Sequence, residues 1–160
     1  MKEQKTNVMR VLDQKKIPYT AHSYDHGPDA VDGVTVAALL GKDPGSVFKT
    51  LVTVGASGQH YVFDIPVAKE LDLKKAAKAA GEKSIAMIRV SELTALTGYV
   101  RGGCSPIGMK KQFPTVLDSS AERYDTICVS AGKIGAQVEL APAELLKLVR
   151  GTTAELTAEE

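Results

Sequence analysis

The sequence predicts a mixed α+β domain, in which a mixed sheet or a partly closed barrel is packed among helices. Segments with strand patterns and segments with helical patterns are intermixed, without the regular βαβ period of a doubly wound parallel sheet. The 160 residues suit one domain, and the 44% of hydrophobic residues can fill one core. We therefore expect a single domain over residues 1–152, followed by an acidic, frayed tail at 153–160.

Composition and charge narrow the possible functions. The net charge is +1, so nucleic-acid binding would need a local basic surface rather than an overall field. Residues 1–16 lack the apolar stretch of a signal peptide, and no apolar run reaches the roughly 18 residues of a membrane span. Cys104 and Cys128 form neither a metal-ligand nor a disulfide pattern. We expect a soluble cytoplasmic protein without membrane contacts.

The first third of the chain alternates helices with short extended segments. Apolar residues at helical spacing predict a helix over 3–15. The segment 19–24 is typical of an edge strand, because Pro18 precedes it. A loop over 25–33 follows, and then a short helix over 34–40 that ends at a glycine.

The clearest strand of the sequence covers residues 47–54, and a turn joins it to a second strand over 60–65 in a hairpin. Both faces of the first strand are mostly apolar, which predicts a central position. Lys49 lies within it, and a buried lysine is unfavourable unless it is paired. The side chain therefore either points into a cleft, which indicates function, or extends its ammonium group to solvent.

The next helix, predicted over 73–80 with Asp72 as its cap, is rich in lysine. Lys74, Lys75 and Lys78 form a local basic face, which either is simply solvated or binds a polyanion. The remaining elements are a strand over 84–90, a helix from Ser91 to Gly98, strands over 115–117, 125–130 and 137–140, and a last helix over 143–149 that begins after Pro142.

The segment from Gly98 to Gly108 contains four glycines and a proline, which excludes a helix or an ordinary central strand. A tight loop of this kind can present bare N–H groups to an anion or an oxyanion. Arg101 lies at its mouth, and Ser105 adds a hydroxyl group. The alternative is a sharp corner between two elements, in which the glycines serve geometry alone.

Other candidate chemistries are weaker. His22 and His26 have no evident third partner, so we expect no metal site. Cys104 would need a base or positive neighbours to act as a nucleophile, and only Arg101 is near in sequence. The run Gly132-Lys133-Ile134-Gly135 matches an RNA-clamping loop, but it lies between strands rather than helices. We interpret it as a second tight turn.

Several motifs in a fixed order resemble the YbaK-type editing proteins, and among them the Cys-tRNA(Pro) deacylases. The motifs are Ile17-Pro18-Tyr19, His22-Ser23-Tyr24-Asp25, Phe48-Lys49-Thr50-Leu51, Gly98-Tyr99, Gly102-Gly103-Cys104-Ser105-Pro106-Ile107-Gly108, Val129-Ser130-Ala131-Gly132-Lys133, Gly135 and Val138-Glu139-Leu140-Ala141-Pro142. The resemblance covers about residues 5–150. It implies a mixed, six-stranded barrel-like sheet surrounded by helices.

The resemblance implies removal of cysteine wrongly attached to tRNA(Pro), and of cysteine from Cys-tRNA(Cys) as a further substrate. Prolyl-tRNA synthetase makes the error because a pocket cannot strongly reject a competitor of similar volume. In this family the substrate's own thiol is thought to attack its ester, releasing a thiolactone, so that neither a cofactor nor a metal is needed. The family can associate with prolyl-tRNA synthetase, which implies a transient complex.

By the same resemblance, Lys49 is the main catalytic residue and faces the 3′-terminal adenosine phosphate or the ester. The N–H groups of Gly102, Gly103 and Ser105 would hold the carbonyl oxygen. The other pocket residues implied are Tyr24, Thr50, Arg101 and Ser130. The loop 29–33 lacks an aromatic residue expected near its end, where Val31 stands instead, which bears on the size of the pocket.

Contacts to tRNA phosphates are assigned to five lysines, namely Lys74, Lys75, Lys78, Lys110 and Lys111. Two alternatives to cysteine editing remain open. One is an editing hydrolase for another ester such as Ala-tRNA(Pro), which would have to recruit water. The other is a non-catalytic module that binds aminoacyl-tRNA or the synthetase, which would show affinity without turnover.

Overall fold

The computed structural model describes residues 5–27 and 31–158. Within them it contains five α-helices and eight strands, and none of the helices has the length and apolar character needed to cross a membrane. The helices are α1 (Asn7–Gln14), α2 (Gly33–Leu40), α3 (Leu73–Ala80), α4 (Val90–Thr97) and α5 (Pro142–Val149). The strands are β1 (Thr20–Ser23), β2 (Phe48–Gly55), β3 (His60–Pro66), β4 (Ile85–Met87), β5 (Thr115–Asp118), β6 (Ile127–Ser130), β7 (Ala136–Leu140) and β8 (Thr152–Ala154).

The described strands form two sheets. The larger has the order β4-β2-β3-β5-β8, antiparallel from β4 to β3 and parallel from β3 to β8. The smaller, β1-β7-β6, is antiparallel throughout. An isolated bridge between Val47 and Cys128 joins them beside the start of β2. The mixed α/β single domain is confirmed, whereas no pairing closes the described strands into a barrel, so the six-stranded barrel is not confirmed.

The main core lies where α1 and the two sheets meet. Val8 and Leu12 of α1 are fully buried against Phe48 of the larger sheet and Val129 and Val138 of the smaller sheet. Burial of each such side chain contributes about 1.5–3 kcal/mol. Along β6 and β7, every second side chain points toward this core. The side chains that alternate with these point to the other side of the smaller sheet, toward α2. That second side carries the candidate site.

Helix α3 covers the other face of the larger sheet, and its prediction is confirmed at both ends. The Asp72 carboxylate accepts the backbone N–H groups of Lys74 and Lys75, and the helix ends at Gly81. Ala76 and Ala77 pack against strand β3, so the lysines occupy the outer side. The predicted hairpin of β2 and β3 is confirmed as well.

Helix α4 begins earlier than its predicted cap. The N-cap is Arg89 rather than Ser91, because the Glu92 carboxylate reaches back to accept the Arg89 backbone N–H at 3.3 Å. An acidic group in the first turn of a helix also interacts favourably with the helix dipole. The preceding strand is correspondingly short, since β4 covers only residues 85–87 of the predicted 84–90.

The segment 152–158, which was predicted to be frayed from residue 153, has a defined structure, and residues 159–160 of the predicted tail lie outside the described residues. It forms β8, which pairs in parallel with β5. Leu156 is completely buried, and its N–H donates to the Asp118 Oδ1 at 2.9 Å. The expectation followed from acidic composition, but one buried leucine and a row of parallel backbone bonds are sufficient to hold the segment.

Candidate functional site

A cavity of about 1010 Å³ opens between helix α2, the start of β2, the glycine loop and the outer side of the smaller sheet. Most of the residues predicted for the site line it. These are Tyr24, Lys49, Thr50, Arg101, Gly102 and Ser130. They come from four separate parts of the chain, so the fold itself assembles the site.

Lys49 lies on β2 opposite Ile65 of β3, and its side chain is half-buried in the wall of the cavity. Within residues 5–27 and 31–158 its ammonium group has no hydrogen-bond or ion-pair partner, since the ion pairs formed there involve other residues. A partly withdrawn, unpaired cation at a cavity wall is available to an anionic ligand. The structure therefore favours the cleft position over extension into solvent.

Thr50, the next residue of β2, faces the opposite side of the strand and connects the cavity to a buried acid. It pairs across the sheet with Asp64 of β3, and its hydroxyl donates to the Asp64 Oδ1 at 2.5 Å. Asp64 is completely buried. Burial raises the pKa of the Asp64 carboxyl to about 7, against the opposing effect of the Thr50 hydrogen bond. Sequence reasoning missed Asp64, although an acid in an apolar strand was a visible signal.

The glycine loop is anchored to the end of α4 through Tyr99. The Tyr99 hydroxyl donates to the Ile107 carbonyl at 2.6 Å, and the Thr94 hydroxyl donates to the Tyr99 carbonyl at 2.9 Å. Gly103 lies against the turn between β6 and β7, where a Cβ atom would stand 2.9 Å from the Lys133 Cα. Gly102 has a φ of 85°, a conformation that favours glycine. The loop is therefore both a tight corner and part of the cavity wall.

Two of the predicted donors in this loop are not available to a substrate. The Gly103 N–H donates to the Val100 carbonyl at 3.0 Å, which corrects its assignment to the oxyanion site. Ser105, whose backbone N–H was the other predicted donor, is completely buried, and its hydroxyl oxygen accepts the Ile107 N–H at 3.3 Å. It does not line the cavity. Gly102 remains, because its N–H makes no hydrogen bond within the described residues, and Arg101 is exposed at the mouth.

The smaller sheet supplies the opposite wall. The Ser130 hydroxyl oxygen accepts the Gly132 N–H at 3.1 Å, which leaves its proton free to donate into the cavity. Gln137, on the neighbouring strand, also lines the cavity, and its buried Oε1 has no partner in the described part of the chain. Sequence reasoning did not select Gln137, although it is a polar residue in an otherwise apolar strand. Tyr24 closes this side, with its ring 6.3 Å from the His26 ring.

Cys104 lines the cavity but is not an activated nucleophile. Burial, with a smaller contribution from the nearby Asp64 carboxyl, raises the pKa of its thiol to about 12. A reactive cysteine needs the opposite shift, toward the thiolate. Cys128 is buried behind the site, and burial raises its thiol pKa to about 11.

His22 takes part in a charged cluster rather than pairing with His26. Its Nε2 lies 2.7 Å from Glu139 Oε1, and the Lys42 ammonium lies 3.0 Å from the same oxygen. The Cys128 sulfur comes within 4.8 Å of the His22 and Glu139 ligand atoms. This set has donors that suit a metal ion, but the Lys42 charge opposes a second cation there.

The five lysines assigned to tRNA do not line the cavity. Lys74 and Lys78 are exposed on α3, whereas the Lys75 ammonium donates to the Thr157 carbonyl at 2.9 Å and is tied to the C-terminal segment. Lys110 and Lys111 are exposed after the glycine loop, and the Lys111 ammonium stands 5.8 Å from the centre of the Phe113 ring.

Comparison with known proteins assigns this arrangement to a family. Residues 28–148 match the aminoacyl-tRNA editing domain. The chain belongs to that family. This confirms the resemblance to YbaK-type editing proteins that the motifs indicated. The matched segment contains Lys49, the glycine loop and both strands of the smaller sheet that line the cavity.

Three relatives are similar over nearly the whole chain. A protein of Enterococcus faecalis (strain ATCC 700802 / V583), provisionally named Cys-tRNA(Pro)/Cys-tRNA(Cys) deacylase EbsC, is 51% identical over 158 residues, covering 99% of this chain and 96% of its own. A solved structure of a provisionally identified trans-editing enzyme for prolyl-tRNA synthetase has 26% identity and a TM-score of 0.81, with 95% of each chain covered. The hypothetical protein APE2540 has 24% identity and a TM-score of 0.84, over 94% of this chain and 99% of its own, and supports the fold alone.

Proposed function

We propose that the protein is a trans-editing deacylase that releases cysteine from Cys-tRNA(Pro), with Cys-tRNA(Cys) as a further substrate. The observation that carries this proposal is the unpaired, half-buried Lys49 in the wall of a cavity whose cysteine, Cys104, is not activated as a nucleophile. Membership of the aminoacyl-tRNA editing family supports the class of substrate, and the name of the E. faecalis relative supports the amino acid.

The reaction that suits this cavity is attack by the substrate thiol on its own ester carbonyl. The sulfur forms a bond to the carbonyl carbon, the bond from that carbon to the ribose oxygen breaks, and a cyclic thiolactone leaves the tRNA. Intramolecular attack in a held geometry has effective molarities of about 10⁵ M or more, so positioning supplies much of the rate. Lys49 neutralises negative charge at the terminal phosphate or the ester, and the Gly102 N–H stabilises the developing oxyanion.

The remaining wall residues position the aminoacyl group. Ser130 offers a hydroxyl proton, and Gln137 offers an unpartnered oxygen from the opposite strand. Arg101, exposed at the mouth, is placed for contact with the tRNA backbone. We also propose that the protein acts in the cytoplasm. Prolyl-tRNA synthetase is its transient partner, because a nearly neutral net charge gives the chain only weak affinity for tRNA on its own.

The first experiment follows ester loss from Cys-tRNA(Pro), Ser-tRNA(Pro) and Ala-tRNA(Pro) under single-turnover conditions. Serine differs from cysteine only in carrying oxygen in place of sulfur, so it isolates the role of the thiol. We expect cleavage of the cysteinyl ester to be at least about 100-fold faster than that of the other two esters. Lys49→Ala should slow cysteine release by about 10²–10³-fold. Lys83→Ala, at an exposed position, is the matched control and should be unchanged.

The other outcomes select the alternatives. Cleavage of the alanyl ester at a rate equal to the cysteinyl ester would replace thiol attack by a water-using hydrolase. Affinity for all three substrates without cleavage of any would indicate a binding module.

A second experiment tests the basic surface. We propose that Lys74, Lys78, Lys110 and Lys111 contact tRNA phosphates, and that Lys75 does not, because its ammonium group is engaged by Thr157. Removing the four exposed lysines should lower affinity for tRNA and reduce the steepness of its dependence on salt. The single variant Lys75→Met should leave that slope unchanged. Equal slopes for the fourfold variant and the native chain would mean that the surface is only solvated.

A further inference from the structure

The acidic side chain of Asp64 lies behind the cavity wall, bonded to the cavity-lining Thr50. Asp64 occupies the middle of β3, and none of its surface is exposed. One carboxylate oxygen, Oδ1, accepts the Thr50 hydroxyl, while the other, Oδ2, has no hydrogen-bond partner among the described residues. A buried polar atom without a partner is unfavourable for stability, so its presence beside a cavity calls for a functional reason.

Few groups around Asp64 could stabilise the negative charge of its ionised carboxylate. Its cross-strand neighbours are Thr50 on β2 and Leu117 on β5, and neither titrates. The Cys104 thiol faces it from the glycine loop, with a pKa raised to about 12. The ion pairs within residues 5–27 and 31–158 do not include Asp64. Asp64 is therefore free to exchange a proton without disrupting an ion pair.

Thr50 connects this acid to the substrate space. A threonine hydroxyl has one proton to donate and two lone pairs that can accept. The Thr50 proton is committed to Asp64, and Thr50 also lines the cavity. Its oxygen is thereby fixed as an acceptor for a donor that enters the cavity. A thiol is such a donor.

We propose that Asp64 is a positioning residue that acts through Thr50 and receives the proton of the substrate thiol. This inference rests on the proposed cysteine-releasing function. The thiol proton passes to the Thr50 oxygen as the Thr50 hydroxyl proton passes to Asp64 Oδ1. The sulfur electron pair then forms the bond to the ester carbonyl carbon, and the carbon–oxygen bond to the ribose breaks. The ribose oxygen takes the proton back through Thr50, which restores the Asp64 carboxylate.

The acidity of the two groups suits this transfer. A free cysteine thiol has a pKa of about 8.5. Burial raises the pKa of the Asp64 carboxyl to about 7, which is close to the pKa of the thiol. A carboxylate with an ordinary pKa would be too weak a base to take the thiol proton. Because Asp64 must be ionised to accept the proton, the rate should rise with pH through about 7.

The test is a pH–rate profile from pH 5.5 to 9 for release of cysteine from Cys-tRNA(Pro), for the native chain and for Asp64→Asn. Asparagine keeps an oxygen that accepts the Thr50 hydroxyl but cannot receive the proton, so it separates orientation from proton transfer. We expect Asp64→Asn to be about 100-fold slower at pH 7.5 and to lose the inflection near pH 7. Asp125→Asn, exposed and distant in sequence, is the control and should keep the native profile.

A second pair of variants keeps the test valid if Asp64→Asn is poorly folded, which thermal melting would reveal. Thr50→Val removes the connecting hydroxyl and should abolish the inflection, while Thr50→Ser retains the hydroxyl and should preserve it. An Asp64→Asn or Thr50→Val variant that folds and has the native rate and profile would overturn this inference and leave the proposed function intact. Failure of the native chain to release cysteine would overturn the proposed function, and this inference with it.

Discussion

Two partly or fully buried carboxylates, one on each sheet, have opposite environments. Asp64 on the larger sheet has one hydrogen-bond partner in the described part of the chain, the neutral Thr50, and burial raises its pKa to about 7. Glu139 on the smaller sheet is bonded by Thr126 and paired with His22 and Lys42, and these contacts lower its pKa to about 2 although burial opposes them. Partners therefore decide the protonation of each acid as much as its depth does.

The difference also separates two roles. Glu139 is an acid whose charge is satisfied by the surrounding structure, which is the pattern of a stabilising group. Within residues 5–27 and 31–158, Asp64 has an oxygen without a partner and no ion pair, which is the pattern of a group retained for chemistry. Of these two carboxylates, Glu139 favours folding when it is ionised, whereas Asp64 opposes folding when it is ionised.

The largest expected effect is on the pH dependence of stability at Asp64. Its folded-state pKa is above the unfolded value of 3.8, so the native state binds the extra proton and stability falls as pH rises from about 4 to 7. A shift of this size corresponds to about 4 kcal/mol. Asp64→Asn should remove the decline, and at pH 9 it should be more stable than the native chain by up to that amount.

Urea unfolding at pH 5 and pH 9 measures this effect. The native chain should lose stability between the two values more steeply than the variant does. If the variant is less stable than the native chain at pH 9, ionisation of Asp64 does not oppose folding, and the comparison between the two acids fails.

A third carboxylate, Asp118, sharpens the comparison because it is nearly as buried as Asp64 but fully partnered. Its two oxygens accept the backbone N–H groups of Ser120 and Leu156. Asp118→Ala should destabilise the protein by about 2–3 kcal/mol, since hydrogen bonds to charged groups are among the stronger ones. Chemical denaturation at pH 7 measures the loss, and faster proteolysis at the C-terminal segment should accompany it. A loss below about 0.5 kcal/mol would mean that these bonds do not hold the segment.

Local features of the fold were predictable from the sequence, because they depend on neighbouring residues. Asp72 and Gly81 define α3 at both ends, and the hairpin of β2 and β3 follows from two strand patterns and a turn. The pairing of β8 with β5 was not predictable, because the two strands are distant in sequence and run in parallel. The acidic composition of the C-terminal segment also suggested a solvated tail, although one of its residues, Leu156, is completely buried.

The same distinction applies to the site. Lys49 was selected because a lysine in an apolar strand is anomalous within its own segment. Asp64 is anomalous in the same way, but its importance depends on a cross-strand contact to Thr50 that only the register reveals. The Gly103 donor was assigned from the family resemblance, yet its N–H donates to the Val100 carbonyl inside the loop. Which backbone N–H groups are already bonded within a loop can be determined only from the three-dimensional structure.

A smaller effect is expected at Glu139, with the opposite dependence on pH. Its folded-state pKa lies below the ordinary value of 4.5, so its contribution is present above that value and is lost as pH falls toward about 2. Because the side chain is partly exposed, the contribution after solvent screening is about 1–2 kcal/mol. Glu139→Gln should show that loss at pH 7 and little loss near pH 2. Unfolding curves at both values check it, and equal losses at both would assign the effect to packing.

The smallest effect isolates one partner of Glu139. Lys42→Met removes the ammonium group at 3.0 Å while keeping the length and apolar character of the side chain. The pair is partly exposed, so the expected loss is about 0.5–1 kcal/mol at low salt, smaller at high salt. In a Glu139→Gln background the same substitution should cost almost nothing, because the attraction is already gone. A double-mutant cycle measures this coupling. If the cycle shows no coupling, the low pKa of Glu139 depends on Thr126 and His22 alone, and the contrast with Asp64 is one of hydrogen bonds rather than of cations.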